Sequence, residues 1–400
     1  MCTIQPHALT DMRAELEEEL TGNILPFWMN HSLDRTCGGF YGAVSNDLQI
    51  DNQVPRSAIL FARILWTFSA AYRKFGLQDY LDVARWAYDT LTQVFWDQVY
   101  GGLFWTVDAA GRPVTDRKHH YTQSFGIYGL VEYYRAGKDP KSLALAQELF
   151  ALLEKHACEP VYGGYIEGSS REWGPLADMR LSHKEVNCRK SMNTMLHILE
   201  AYTQLLRVWD DHELKDQHRS LIAVFQEHIL DVESHHFKLF FDDEWHSLLE
   251  NISYGHDIEG SWLLVEAAEV QGEAALLAQV HRLAVDMAEA VFRQGIDEDG
   301  SLFYERGPKG LVDTGKAWWV QAEAMVGFVN AYTLTGQSAY TQAARRCWDY
   351  IQARMVDRPR GGWIKQCHRD GSPDDRVYKI GPWEDPYHQS RACLEIMART

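Results

Sequence analysis

The 400-residue chain carries 39 Lys and Arg against 56 Asp and Glu, a formal charge of −17 that excludes the basic footprint a nucleic-acid partner requires. Its 46% apolar content, with 14 Trp, 19 Tyr and 16 Phe, supplies a large core and leaves aromatic faces over for a ligand. Seven cysteines without a Cys-x-x-Cys pair read as free thiols, four glutamates (Glu15, Glu17, Glu18, Glu19) stand where a signal peptide needs an apolar run, and no eighteen consecutive apolar residues occur. A disulfide scaffold and a membrane span are thereby excluded, and the expected location is the cytoplasm.

Apolar residues at i, i+3, i+4 and i+7 predict a first amphipathic helix over 12–28. A Gly38-Gly39-Phe40 turn follows, and then a helix over 58–72 that is apolar almost all round, as a helix covered on both sides must be. The succession then returns as an amphipathic helix over 81–95, the turn Gly101-Gly102-Leu103-Phe104 and an all-round apolar helix over 123–134. The third unit has 141–157, Gly163-Gly164-Tyr165 and 191–206; the fourth has 218–230, a degenerate His235-His236-Phe237 turn and 258–270. The fifth has 274–292, Gly300-Ser301-Leu302-Phe303 and 316–334, and the sixth has 339–355, Gly361-Gly362-Trp363 and 388–400. Equivalent glycines recur about every 62 residues, too long a period for one helix or strand, so each unit is a module that buries its apolar face on its neighbours. No Pro, Ser or Gly-rich linker interrupts the repeat, which predicts one catalytic domain over 1–400. Twelve helices alternating outer and inner predict an all-α fold, an (α/α)6 barrel with short β-hairpin or loop returns.

Parallel inner helices would bring their N-terminal ends to one face of the ring. The polar residues near those ends are Arg63, Tyr121, Gln123, Asn193, His197, His256, Glu259, Trp318, Trp319, Glu323, Trp383 and His388. A polar residue on an otherwise apolar helix is either satisfied internally or faces a cavity, and several converging at once favour a cavity. His256 and Glu259 are i, i+3 neighbours at a helix start: the carboxylate orients the imidazole, or both face a ligand, or Glu259 completes a capping box. No metal is expected, since one His-x-x-Glu pair lacks the further ligands zinc needs. Asn193 and His197, at i, i+4, share a face, either as ligand contacts or with His197 as a satisfied core residue. Gly381-Pro382-Trp383-Glu384-Asp385-Pro386-Tyr387-His388 leads into the last helix as a packed closing loop or with Trp383 as a sugar platform. Gly310 to Lys316 has the spacing of a phosphate loop, but Ala317 replaces the hydroxyl that would hold magnesium and no buried strand precedes it.

The blocks Arg63-Ile64-Leu65-Trp66, Met192-Asn193, His197 to Tyr202, Ser253 to Glu259, Trp318 to Ala324 and Gly381 to His388 carry a resemblance over essentially the whole chain. With them the chain resembles the cellobiose 2-epimerases, relatives of the N-acylglucosamine 2-epimerases. The resemblance implies cofactor-free inversion at C2 of the reducing-end sugar of a β-1,4-linked disaccharide such as cellobiose, lactose or mannobiose. The sugar opens to an aldehyde, loses its C2 proton, passes through a cis-enediolate, turns about C2–C3 and is reprotonated on the other face. His256 and His388 are implied as the acid/base pair, with Arg63 stabilising the enediolate and His197 assisting. Tyr121, Asn193 and Glu259 are implied as hydrogen-bonding partners, Trp319 and Trp383 as sugar-contacting aromatics, and Glu305 as a contact to the second sugar. Three rival readings are an aldose–ketose isomerase protonating C1, a glycoside hydrolase, for which no flanking carboxylate pair stands out, and a sugar-binding protein without turnover.

Overall fold

Every predicted helix is present in the computed structural model, which describes residues 7–183 and 185–400. In chain order they are α1 (His7–Glu19), α2 (Leu25–His31), α3 (Ala58–Phe75), α4 (Gln78–Thr90), α5 (His120–Gly137) and α6 (Pro140–His156). Then come α7 (Met192–Leu206), α8 (His212–Val224), α9 (Tyr254–Gln271), α10 (Ala274–Gln294), α11 (Trp318–Thr335), α12 (Ser338–Tyr350) and α13 (Tyr387–Arg399). The inner ring is α3, α5, α7, α9, α11 and α13, each packed on the next, and α13 returns to α3. Outside them lie α4, α6, α8, α10, α12 and α1, each against its inner partner. Six helical hairpins closed in this way are an (α/α)6 barrel. Outer α12 buries only the stripe Tyr340, Ala343, Ala344, Cys347, Trp348 and Tyr350, whereas inner α11 is buried on all sides from Val320 to Ala331.

Two glycines let inner helices meet at backbone distance. A Cβ at Gly129 would stand 2.6 Å from the Ala62 carbonyl oxygen, and one at Gly327 would stand 2.7 Å from that of Ile258. Unlike the periodic expectation, three outer helices end in five-residue π-helical turns, at Leu91–Phe95, Phe225–Ile229 and Ile351–Met355, and a fourth such turn at Leu20–Ile24 joins α1 to α2. A one-residue widening of a turn leaves the apolar spacing nearly unchanged, so periodicity does not register it. At the turn joining α1 to α2, Pro26 has no N–H to return to the helical ladder.

The six turns share one construction. Asp34, Asp97, Glu159, Asp231, Asp297 and Asp357 open them, and each carbonyl accepts an N–H from Gly38, Gly101, Gly163, His235, Gly300 or Gly361 at 2.7–3.1 Å. In the degenerate turn His235 takes the left-handed φ of 59° that glycine supplies elsewhere. Five of the acids also clamp a buried cation that precedes the next inner helix: Arg56 on Asp34 (2.5 Å), Lys118 on Asp97 (3.1 Å), Lys190 on Glu159 (3.3 Å), Lys316 on Asp297 (2.9 Å) and Lys379 on Asp357. In the fourth unit Ile252 stands in the cation's place and His236 bonds Asp257 of α9 instead, at 2.8 Å. Two-residue strands lace these units together, as in Lys190–Ser191 against Phe240–Phe241. The Gly310 to Lys316 segment is a β-hairpin strand followed by this buried clamp lysine, which has no phosphate-cradling geometry. No described helix is long and apolar enough to cross a membrane.

Candidate active site

Arg63 of α3 donates to the Asp385 carboxylate and to the Tyr121 hydroxyl, both at 2.7 Å, and lies over the Phe125 ring at 4.2 Å. Asp385 also accepts the Tyr387 N–H at 2.8 Å, so one carboxylate ties Arg63 to the start of α13. Burial works against the charged guanidinium, but Tyr121 and Asp385 outweigh it and raise the Arg63 pKa.

The centre of the ring is occupied by Arg391, a residue absent from the sequence-based candidates. Its side chain, 1% exposed, donates to Glu200 of α7, to the Tyr387 hydroxyl, to Glu259 of α9 at 2.5 Å and to Glu323 of α11 at 2.7 Å. Glu200 in turn holds His197 Nδ1 at 2.8 Å, and Glu323 holds His388 Nδ1 at 2.7 Å and the Trp262 indole at 3.1 Å. Two imidazoles therefore lean on two carboxylates that share one guanidinium. Burial pushes Glu200 up, but Arg391 and His197 overcome it and hold Glu200 at about 2. Burial, reinforced by the neighbouring Glu323, pushes Glu259 up to about 8, and burial raises Glu323 as well, so this pair retains a proton near neutrality.

Ligand atoms of Glu259, Glu323 and His388 lie within 4.8 Å of one another, a spacing that can hold a metal ion. Arg391 Nη2 sits between the two carboxylates at 2.5 and 2.7 Å, so the chain supplies that cation itself.

His388, in the first turn of α13, and His256, in the first turn of α9, both rest on the Trp319 ring, with centroids 5.7 and 4.8 Å away. Both use Nδ1 for the protein: His388 on Glu323, His256 on the Ser253 hydroxyl at 2.8 Å. When Nδ1 carries the hydrogen, Nε2 presents a lone pair. Burial lowers His256 to about 3, aided by His197, and burial together with Arg63 and Arg391 holds His388 well below the usual imidazole range. Burial thus favours the neutral form of both rings.

The remaining candidates fall around this core. His197 meets Tyr121 edge-on at 5.0 Å, and Trp383 meets Tyr121 at 6.2 Å. Asn193 is half-buried with Oδ1 unpartnered, and Glu305 accepts from Asn251 at 2.5 Å beside Tyr304, whose ring is 5.8 Å from Trp319. Two expectations are corrected. Glu259 neither orients His256 nor caps the helix, because Arg391 offers it a charged donor from across the ring. Gln123 does not face the cavity but clips both backbone groups of Leu103 at 2.7 and 2.9 Å, as Gln321 does for Leu302. Trp318 covers Lys365 at 4.8 Å and meets the His388 ring edge-on at 6.4 Å. Glu200, Tyr387 and Arg391 had a sequence signal, a charge or hydroxyl within one turn of a candidate histidine on an otherwise apolar helix.

A family model described as N-acylglucosamine 2-epimerase (GlcNAc 2-epimerase) matches residues 39–392. The cellobiose 2-epimerase of Bacteroides fragilis is 42% identical over 387 residues, spanning 96% of this chain and 98% of that protein. The solved structure of the cellobiose 2-epimerase from Bacillus thermoamylovorans has a TM-score of 0.93 at 40% identity, covering 98% of this chain and 100% of that one. A D-mannose isomerase structure has a TM-score of 0.84 at 21% identity over 97% of this chain and 98% of that one, a likeness of fold.

Proposed function

The chain belongs to the N-acylglucosamine 2-epimerase family, and on that premise we propose that it is a carbohydrate epimerase acting at C2 of the reducing-end sugar of cellobiose or a related β-1,4-linked disaccharide. The observation that carries the reading is the pair of neutral histidines, His256 and His388, resting on one indole beside a charged arginine. Trp319 and Trp383 receive the apolar face of the opened sugar. One imidazole takes the C2 proton through Nε2, a step worth about 10² to 10⁴ in rate per histidine. Arg63 stabilises the enediolate oxygens, with His197 assisting from its seat on Glu200. After rotation about C2–C3 the other imidazole, having taken a solvent proton on Nε2 opposite the anionic enediolate, delivers it to the opposite face, and the first returns its proton to solvent. Tyr121, Asn193 and Glu259 hold the sugar hydroxyls, and Glu305 contacts the second sugar. The six hairpins act as one catalytic unit without added metal or nucleotide, since Arg391 supplies the central cation. A cytoplasmic location accords with the free thiols among the described residues.

Incubation with cellobiose in D2O, followed by NMR, is expected to give 4-O-β-D-glucosyl-D-mannose with deuterium at C2 and no free glucose. Product that keeps its original C2 hydrogen would sink the imidazole mechanism. A ketose product would identify an aldose–ketose isomerase, and inertness toward cellobiose, lactose and mannobiose would identify a binding protein.

A further inference from the structure

Four buried lysines, Lys118, Lys190, Lys316 and Lys379, face the carboxylate of a turn. Lys365 is equally buried, at 2% exposure, and has no carboxylate within ion-pair distance among the described residues. Its Nζ donates to the Asp385 backbone carbonyl at 2.6 Å and to Gln389 Oε1 at 2.7 Å, covered by the rings of Trp318 at 4.8 Å and Trp28 at 5.7 Å. Its own carbonyl accepts the N–H of Trp318, the first residue of α11, at 3.0 Å. One residue thus joins the starts of two neighbouring inner helices, α11 through its backbone and α13 through its side chain. Asp385 is the residue whose carboxylate holds Arg63, and Gln389 directly follows His388. Trp319 and Glu323, which meet His388, lie on α11.

We propose that Lys365 is a positioning residue of the epimerase centre, its ammonium holding the start of α13, and with it Arg63 and His388, in register against α11. The role rests on the reaction proposed above. A charged donor bonds neutral carbonyls about twice as strongly as a neutral amine does, so the clamp is tight only while Lys365 keeps its proton. Burial favours the neutral amine, the Asp385 and Glu384 carboxylates oppose it and Lys379 adds to it, leaving Lys365 lowered to about 7. Glu384, itself raised to about 7 by burial, delays loss of the Lys365 proton as it ionises but cannot replace the donor once that proton is gone. The clamp therefore loosens as pH rises above neutrality.

Lys365→Met keeps the length of the side chain and removes the charge. Turnover of cellobiose should fall about 10- to 100-fold in kcat, the cost of a slight misplacement of reacting groups, with KM within about threefold and the alkaline fall of the wild-type profile gone. Hydrogen–deuterium exchange of residues 381–390, corrected for intrinsic chemistry, should rise with pH in the wild type and be high at every pH in the variant. Wild-type kcat in the variant, or pH-independent exchange in the wild type, overturns the proposal. If the variant does not fold, the wild-type exchange decides alone. That arm uses no substrate, so failure of the wild type to turn over cellobiose counts against the reaction and not against the clamp.

Discussion

Replacing His388 with Asn is expected to lower kcat on cellobiose about 10²- to 10⁴-fold, the span for loss of one general acid/base group. Asn retains a polar group beside Glu323 but has no proton to exchange near neutrality. Because burial favours the neutral form of His388, the change leaves the charges of the Arg391 network in place, and folding should be preserved. KM should move little, since the imidazole acts on the reacting proton more than on the bound hydroxyls. C2 deuterium exchange measured separately from cellobiose and from its epimer then assigns the histidine to a face of the sugar. A variant that stops exchange from one epimer and spares the other identifies His388 as the base for the first, with His256 serving the second. Turnover within about tenfold of wild type would remove His388 from the chemistry.

Arg391→Met is expected to cost about 3–5 kcal/mol, the range for removing one partner of a buried ion pair. The guanidinium has Glu200, Glu259 and Glu323 as partners, all nearly inaccessible to water, and among the described residues no other cation pairs with all three carboxylates. Without it Glu200 loses the main influence that holds it at about 2, and the native carboxylates titrate higher than they do in the unfolded chain. Groups raised in the folded state take up protons there first, so the deficit is larger at about pH 8 than at about pH 5. Urea denaturation at the two pH values measures this, and an equal deficit at both would refute the account. Activity should fall with stability even where the variant is folded, because His197 and His388 are oriented by the carboxylates that Arg391 gathers.

The ring was legible in the sequence because inner helices are apolar all round and the turns recur at a constant period, two signals that do not depend on distant partners. His256 and His388, in first turns, and Arg63, in the second turn of α3, were legible for the same reason: they interrupt apolar helices near their N-terminal ends. What connects them was not. Glu200 and Arg391 are 191 residues apart, so no local spacing pairs them, and the visible i, i+3 relation of His256 to Glu259 pointed to a contact that the arginine takes over. The turn clamps stayed hidden because their cations sit on strands of two residues or on loops, too short for a period to appear. The π-helical turns and Lys365 were equally invisible, the latter because its partners are a backbone carbonyl and an amide.

The clamps and the candidate active site also differ in how far along the chain their bonds reach. Asp97 and Lys118 are 21 residues apart and Asp297 and Lys316 are 19, whereas Arg63 bonds a residue 322 positions away and Tyr387 one that is 187 away. Closing a long loop costs more entropy and waits on the contacts that shorten it. A refolding chain should therefore recover its helical circular dichroism, repeat by repeat, before it recovers turnover, and simultaneous recovery of both would contradict this order. Catalytic competence is in this sense a report that the circle has closed.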